Sequence, residues 1–357
     1  MEKIKVLILQ NELSGYSVPV YNIIAKHYDL TLAFYLEDKS NIQCNFKKIK
    51  LESIVIGPFS FVKGVHKLVS KYDLVSMIPN MRIPSYCSLP FMRRNFKLIN
   101  WSIGFRASYT HPYVVERKHV LADRLFQTIL SHCDATIFYM EKAKEFWKGT
   151  TLDMSRVFVA PNTTEVASIE IKPEIKKDFL FVGTLYKGKG LDLLLDAFRQ
   201  VVEKQNSQNK LHIVGDGTER KELEKYVAQH NLLEKVVFHG AIYDEKILSN
   251  CFAHALLCIS PTQGGLSVPK SMGYGVPFVT RKDAITGGEI YHITPGVNGI
   301  LYEKDEDLVN ILADSCQNAQ KYVDMGVKAK EYYDGHATIR HMAQGAMDAF
   351  EFVLNKR

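Results

Sequence analysis

One stretch, FLFVGTLYKGKGLDLLLDAF at residues 179–198, restricts the fold more than any other. Four apolar residues run into a glycine, a loop carries two lysines among glycines, and leucines at helical spacing follow. A buried strand feeding a helix through a short loop is half of a βαβ unit, and its apolar run has to be covered on both faces. The pattern repeats downstream. Strand-like runs at 211–214, 236–239, 255–259 and 276–280 alternate with helix-like stretches at 190–204, 218–230, 244–250, 268–274 and 308–335, and a last helix begins near residue 337. The first half alternates too, with strand candidates at 4–9, 30–35, 54–56, 73–78, 96–101, 135–138 and 157–159. Helix candidates there are 18–27, 61–71, 114–132 and 140–147. Such alternation predicts a parallel, doubly wound α/β sheet in each half.

Length agrees with two units, since domains average roughly 150 residues and the chain has 357. The stretch 160–178, with Pro161, Asn162, Pro173 and the charged run KPEIKKD, reads as the linker. The expected division is 1–165, then 166–335, then a C-terminal helix at 336–357 that returns to pack on the first domain. Two Rossmann-like halves facing a cleft would hold a ligand at the carboxyl ends of their strands.

Composition removes other classes. An apolar share of 46% and a charged share of 24% exclude a disordered chain, a collagen-like fibre and a disulfide-stapled mini-protein. No apolar run reaches the roughly 18 residues of a membrane span. The apolar part of MEKIKVLILQNE is too short for a signal peptide, so a cytoplasmic location is expected. Six cysteines without a CxxC pair read as reduced thiols and form no zinc site. Charge is uneven: residues 1–165 carry 22 Lys/Arg and 14 Asp/Glu, and residues 166–357 carry 23 and 25. A basic first half points to an anionic partner, either nucleic acid or a membrane surface, or to a solvated face.

Several segments carry chemistry. The loop after residue 182 holds Gly183, Lys187, Lys189 and Gly190 just before a helix, which suits a diphosphate: glycines admit close approach, free helix-start amides donate, and lysines add charge. It is not a Walker loop, because GxxxxGK[ST] is absent. LHIVGDGTER places Gly215-Asp216-Gly217 in a tight turn with Thr218 as the expected helix cap. VVFHG ends a strand at His239-Gly240, with His239 read as structural. SPTQGGLSVPKSMGYGVP starts a helix whose amides at Gly265, Leu266 and Ser267 would face an anion. TGGEIYHITPGVNGILY supplies Glu289 and a turn at Asn298-Gly299.

Five segments in this order, from VGTLYKGKGLDLLLDAF through EIYHITPGVNGILY, resemble glycosyltransferase family 4, nucleotide-sugar-dependent enzymes of the GT-B fold. The first half is similar more loosely, through VLILQNELSGYS and VFVAPNT. The resemblance implies that Lys189 binds the donor diphosphate, that the strand end at Gly240 receives the base, and that Gly265, Leu266 and Ser267 reach the phosphates. It further implies that Gly15 faces the diphosphate across the cleft and that Glu289 is the acidic residue after the next strand. Two departures stand out. The glutamates the family carries eight positions apart are replaced by Thr262 and Lys270, and its arginine after the glycine of VGT is Thr184. Lys270 or Lys187 is expected to restore the missing positive charge at phosphate, and Glu289 to take the ribose hydroxyls. No DxD motif is present and the family works without a catalytic metal, so neither metal nor cofactor is expected.

The first half is expected to take the acceptor. In INWSIGFRASYTHPY, Trp101 would stack on a sugar ring, and Arg106 or His111 would bind a hydroxyl or an anion. In SLPFMRRNFK, Arg93, Arg94 and Lys97 interleave with Phe91, Met92 and Phe96, as suits an anionic membrane surface. Nucleic acid drops out because no motif matches it. The reading is a retaining glycosyltransferase that moves a hexose or N-acetylhexosamine, on a UDP donor, to a saccharide or lipid-linked saccharide in capsule or lipopolysaccharide synthesis. The alternatives are another GT-B enzyme, such as a sugar-nucleotide epimerase, and a non-catalytic nucleotide-sugar-binding subunit.

Overall fold

The computed structural model describes residues 3–107, 113–168, 175–205 and 207–355. Contacts divide the chain into two units. One holds the N-terminal part through Thr164 together with the C-terminal stretch from Ile339, and the other runs from Glu165 to Thr338.

In the first unit seven strands make one wholly parallel sheet: β1 Lys5–Gln10, β2 Asp29–Phe34, β3 Lys47–Lys50, β4 Leu74–Met77, β5 Lys97–Ser102, β6 Ala135–Phe138 and β7 Val157–Val159. Their spatial order is β7-β6-β5-β4-β1-β2-β3, so the winding reverses between β1 and β4. Side chains alternate along each strand, and both faces are covered. Val6, Ile8, Leu30, Leu32 and Ile99 pack with the helices Val18–Ala25 and Ile339–Asn355. Leu7, Leu9, Val75, Met77 and Leu98 face the opposite way, toward Val65, Val69 and Tyr86. The returning C-terminal helix runs directly on backbone: a Cβ at Gly345 would lie 2.0 Å from the carbonyl oxygen of Val159.

In the second unit six parallel strands are ordered β10-β9-β8-β11-β12-β13. They are β8 Asp178–Val182, β9 Leu211–Val214, β10 Val236–Gly240, β11 Ala255–Ile259, β12 Phe278–Arg281 and β13 Gly299–Tyr302. Phe179, Phe181 and Ile213 pack against the helices Leu191–Gln205 and Asp305–Gln317. Leu180, Val214, Cys258 and Phe278 pack against helices Glu245–His254, Ser267–Gly273 and Ala319–His336. The reversal here lies between β8 and β11, the topology in which doubly wound proteins bind ligands.

The sequence reading needs four corrections. The run at 54–56 is no member of the parallel sheet, and 61–71 does not start as helix: Ser53–Ile56 and Phe59–Val62 form an antiparallel hairpin about Gly57-Pro58, and only Val65–Val69 is helical. The helix expected over 114–132 is confined to Leu121–Ser131. Thr218 caps nothing, because the following helix starts at Arg220 with Glu219 at its N-cap. The stretch 308–335 is two helices broken at Asn318, which leaves helical geometry and bonds back to Asp314. Among the described residues no helix is long and apolar enough to cross a membrane. All six cysteines are free.

Candidate functional site

The switch point of the second unit is framed by the loops that leave β8 and β11. The first makes a single 3-10 turn, Lys187–Lys189, closed by Gly190 at φ 66°. The loop after β9 presses on it: the Leu185 amide donates to the Asp216 carbonyl at 2.9 Å and the Glu219 amide to the Leu185 carbonyl at 3.0 Å. This contact explains the GDG turn, since a Cβ at Gly215 would sit 1.8 Å from the Gly183 carbonyl oxygen. From β11 the chain reaches across in turn. Thr262 Oγ1 donates to the Gly188 carbonyl at 2.7 Å, and Tyr186 Oη donates to Gln263 Oε1 at 2.5 Å. The lysine turn is thus clamped from both sides.

Lys189 is the chemical centre of this frame. Its ammonium lies beside Gly183 and 5.8 Å from the Tyr186 ring centroid. No carboxylate among the described residues pairs with it, and burial pushes its pKa down to about 8. Lys187, in the same turn, is exposed. The loop after β11 leads into the helix Ser267–Gly273 with Leu266 at its N-cap, and space in front of the Gly265 Cα is open. Beyond it the Gly264 amide bonds to the Ile285 carbonyl, which ties this loop to the one after β12. There Glu289, only 4% exposed, accepts the Gly287 amide at 2.8 Å and the Thr286 hydroxyl at 3.1 Å. Gly183 follows β8 and Gly240 ends β10, where the Gly215 amide donates to the Gly240 carbonyl at 2.8 Å.

Lys270 does not stand free for phosphate, and that expectation is corrected. Its ammonium contacts both oxygens of Glu245 at 2.8 Å, so its charge is already matched. Tyr274 donates to the same carboxylate and accepts the Ala167 amide. Residues by sequence reasoning also missed the chain Asp178–His212–His239, with His rings 2.9 Å apart at Nδ1 and Nε2 and His212 3.4 Å from Asp178. Burial, then His212, lowers the His239 pKa. The Thr262 clamp left only one trace in the sequence, the loss of a glutamate.

Residues assigned to the acceptor lie in the first unit, with one outside the described residues. Trp101 cannot stack on a sugar as it stands: it is 2% exposed, set edge-on to Tyr21 inside the core. Arg106 bonds to Asp123 at 3.2 Å, and Arg117 grips the same carboxylate at 2.6 and 2.8 Å. Burial pushes the Asp123 pKa up, but the two arginines and the Val120 amide outweigh it and hold the carboxyl at about 2. His111 lies outside the described residues. Gly15 heads the 3-10 turn Gly15–Ser17. Of the basic trio, Arg93 is exposed and Lys97 opens β5, but Arg94 is tied to Asp134 at 3.1 Å and Phe96 is buried. The interleaved surface expected there is therefore not formed as one face.

Comparison with known proteins agrees with this geometry. Residues 150–332 match the family model described as Glycosyl transferases group 1. An uncharacterized glycosyltransferase of Haemophilus influenzae is 25% identical over 341 residues, covering 88% of this chain and 89% of that one. The lipopolysaccharide 1,6-galactosyltransferase of Salmonella typhimurium is 24% identical over 205 residues, 55% of this chain and 53% of that one. Among solved structures, Anabaena HepE in complex with UDP superposes with a TM-score of 0.72 at 18% identity, over 98% of this chain and 100% of that one. This last likeness bears on the fold alone, which is GT-B: two doubly wound α/β units.

Proposed function

The chain belongs to the group 1 glycosyl transferases and is a glycosyltransferase, and from that premise we propose a retaining enzyme of family 4. It moves a hexose or N-acetylhexosamine from a UDP-sugar to a saccharide or lipid-linked saccharide of a surface polysaccharide such as capsule or lipopolysaccharide. The single observation that carries the reading is Lys189, a desolvated ammonium without a carboxylate partner among the described residues, seated at the switch point of the second unit. Such a cation gains most when an anion arrives, because burial has already removed part of its water.

In this reading the bond between the anomeric carbon and the diphosphate breaks as the acceptor oxygen bonds to the same face of that carbon. The acceptor's proton passes to the leaving phosphate. Lys189, Lys187 and the amides of Gly265, Leu266 and Ser267 match the charge that develops on the diphosphate, the job a metal does elsewhere, and we propose no metal. Gly183 lets the donor approach, Gly215 lets the loop after β9 close on Gly183, Gly240 borders the base, and Glu289 takes the ribose hydroxyls. Acceptor recognition is assigned to Arg106 of the first unit and to His111, which lies outside the described residues. The UDP in the HepE complex supports the choice of base, and the Salmonella galactosyltransferase supports the pathway.

A panel of nucleotide sugars screened by thermal shift tests the donor, since a ligand that binds only the folded form raises the melting temperature. UDP-sugars are expected to stabilise and GDP-sugars to leave the chain unchanged. With the stabilising donor, Lys189→Ala should lower kcat/KM by about 10²–10³-fold, the cost of one lost transition-state charge contact. Undiminished transfer by that variant would overturn the assignment. Stabilisation without transfer or hydrolysis would mark a binding subunit, and donor turnover without acceptor would mark an epimerase.

A further inference from the structure

The hairpin of the first unit presents an apolar face that its own unit leaves uncovered. Register puts Ile54 opposite Phe61 and Ile56 opposite Phe59, and directly opposed residues share a face. All four are open to solvent, at 48%, 38%, 62% and 42% exposure in that order. The other face carries Ser53, Val55, Ser60 and Val62, and Val62 is 4% exposed in the core with Tyr86. The hairpin is anchored on that side: the Val62 amide bonds to Ser85 Oγ at 2.9 Å and the Ser60 amide to the Arg82 carbonyl at 2.8 Å. Val55, at 66%, is exposed on that other face near the Gly57-Pro58 tip, so the tip is apolar on both sides. A two-stranded ribbon with four large apolar side chains facing water is unusual, because exposed apolar patches generally mark a contact surface.

Charge says what the surface meets. The ten residues of the hairpin, 53–62, contain no charged side chain. Over 47–82 there are seven Lys/Arg against two Asp/Glu, of which Lys47, Lys48 and Lys63 are ion-paired with Asp29, Asp38 and Glu52, which leaves Lys50, Lys67, Lys71 and Arg82 outside such pairs among the described residues. The basic residues stand at the base of the hairpin and around it: Lys63 follows its second strand and pairs with Glu52 before the first, Arg82 lies under Ser60, and Lys67 is exposed on the next helix. An uncharged apolar tip with exposed cations at Lys67 and Arg82 in the segments that follow it matches a bilayer with anionic headgroups, whose acyl boundary accepts the tip and whose phosphates attract the cations. A second copy fits poorly, because a two-fold contact would bring these same cations together. We propose that the hairpin Ser53–Ile56/Phe59–Val62 is a membrane-docking element that inserts Ile54, Ile56, Phe59 and Phe61 into the surface of an anionic bilayer. The proposal does not depend on the transfer reading, since docking is read without donor or acceptor.

The test is co-sedimentation of the full chain with vesicles of phosphatidylglycerol and phosphatidylcholine in equal parts, and with phosphatidylcholine alone. Binding is expected to the first and weak to the second, and to fall as salt rises. The variant Ile54→Ser/Ile56→Ser/Phe59→Ser is expected to lose about tenfold or more in vesicle affinity, as three apolar anchors go. A second probe needs no loss of fold: both native tryptophans are buried, at 2% and 0% exposure, so Phe59→Trp adds one exposed reporter. Its fluorescence should shift to the blue with the anionic vesicles and not with the neutral ones. No shift, no binding, or full binding by the folded triple variant overturns the proposal. So does a wild-type dimer in sedimentation equilibrium that the triple variant dissolves, which would give the face to a second copy.

Discussion

Lys189 sets the expected pH behaviour of the donor site. Burial alone lowers its pKa to about 8 from 10.5. A diphosphate seated beside it favours the charged form, so binding raises that pKa again and takes up a proton in the interval between the two values. The sign follows: affinity for UDP is highest and flat below about pH 8, then falls by up to about tenfold per pH unit above it. Titration calorimetry at several pH values, in buffers of different ionisation enthalpy, measures both the slope and the proton uptake. An affinity that stays level to about pH 10, as an ordinary solvated lysine would give, counts against a desolvated Lys189 as the diphosphate ligand. The place of the residue in a glycine-rich loop between a strand and a helix was legible in the sequence. Its desolvation was not, since that depends on Tyr186 and on loops from other strands. Trp101 shows the opposite failure: its place at the end of a strand was legible, but which face of the sheet took the ring was decided by Tyr21, eighty residues away in sequence.

At the scale of elements, the second unit follows its sequence closely at its inner strands, which are short apolar runs buried on both faces, whereas its edge strand Gly299–Tyr302 was read only as a turn at Asn298-Gly299. Strands at 211–214 and 255–259 fall where the apolar runs lie. The first unit follows less well at its edge. The strand Lys47–Lys50 reads KKIK, with no apolar run to reveal it, and its lysines suit an edge that must not pair further. The hairpin was misread for a related reason: its apolar residues lack a core to face, so periodicity carried no information about burial. Contacts between loops are harder still. Thr262 stood in the sequence only as an absent glutamate, yet its hydroxyl holds the lysine turn through the Gly188 carbonyl at 2.7 Å. Thr262→Val keeps the shape and removes that bond, and one such bond is worth about 1 kcal/mol. UDP affinity should therefore fall about threefold to tenfold. Thr262→Ser should restore it. Calorimetric titration of the three proteins checks the series, and equal affinity for wild type and the valine variant would remove Thr262 from the positioning of Lys189.

The whole chain is closed by a helix that leaves the second unit and completes the first. Ile339–Asn355 buries Met342, Ala343, Ala346, Ala349, Phe350 and Val353 against β-strand residues and the helix Val18–Ala25. Small residues at 343, 345, 346 and 349 let it approach the sheet, and Phe350 fills the space beside Tyr28, with ring centroids 5.6 Å apart. The first unit therefore needs this last helix as well as the N-terminal part of the chain, whereas the described residues of the second lie between Glu165 and Thr338. A cavity made in this helix should accordingly cost stability in the first unit and leave the nucleotide site alone. Phe350 is wholly buried, and truncating such a phenylalanine costs about 3–5 kcal/mol. Phe350→Ala is expected to lose that much in urea unfolding while binding UDP with unchanged affinity below the transition. The two readings separate cleanly: a folded variant that no longer binds UDP would mean that the donor site draws on the first unit's core, and the assignment of the nucleotide to the second unit by itself would have to be given up.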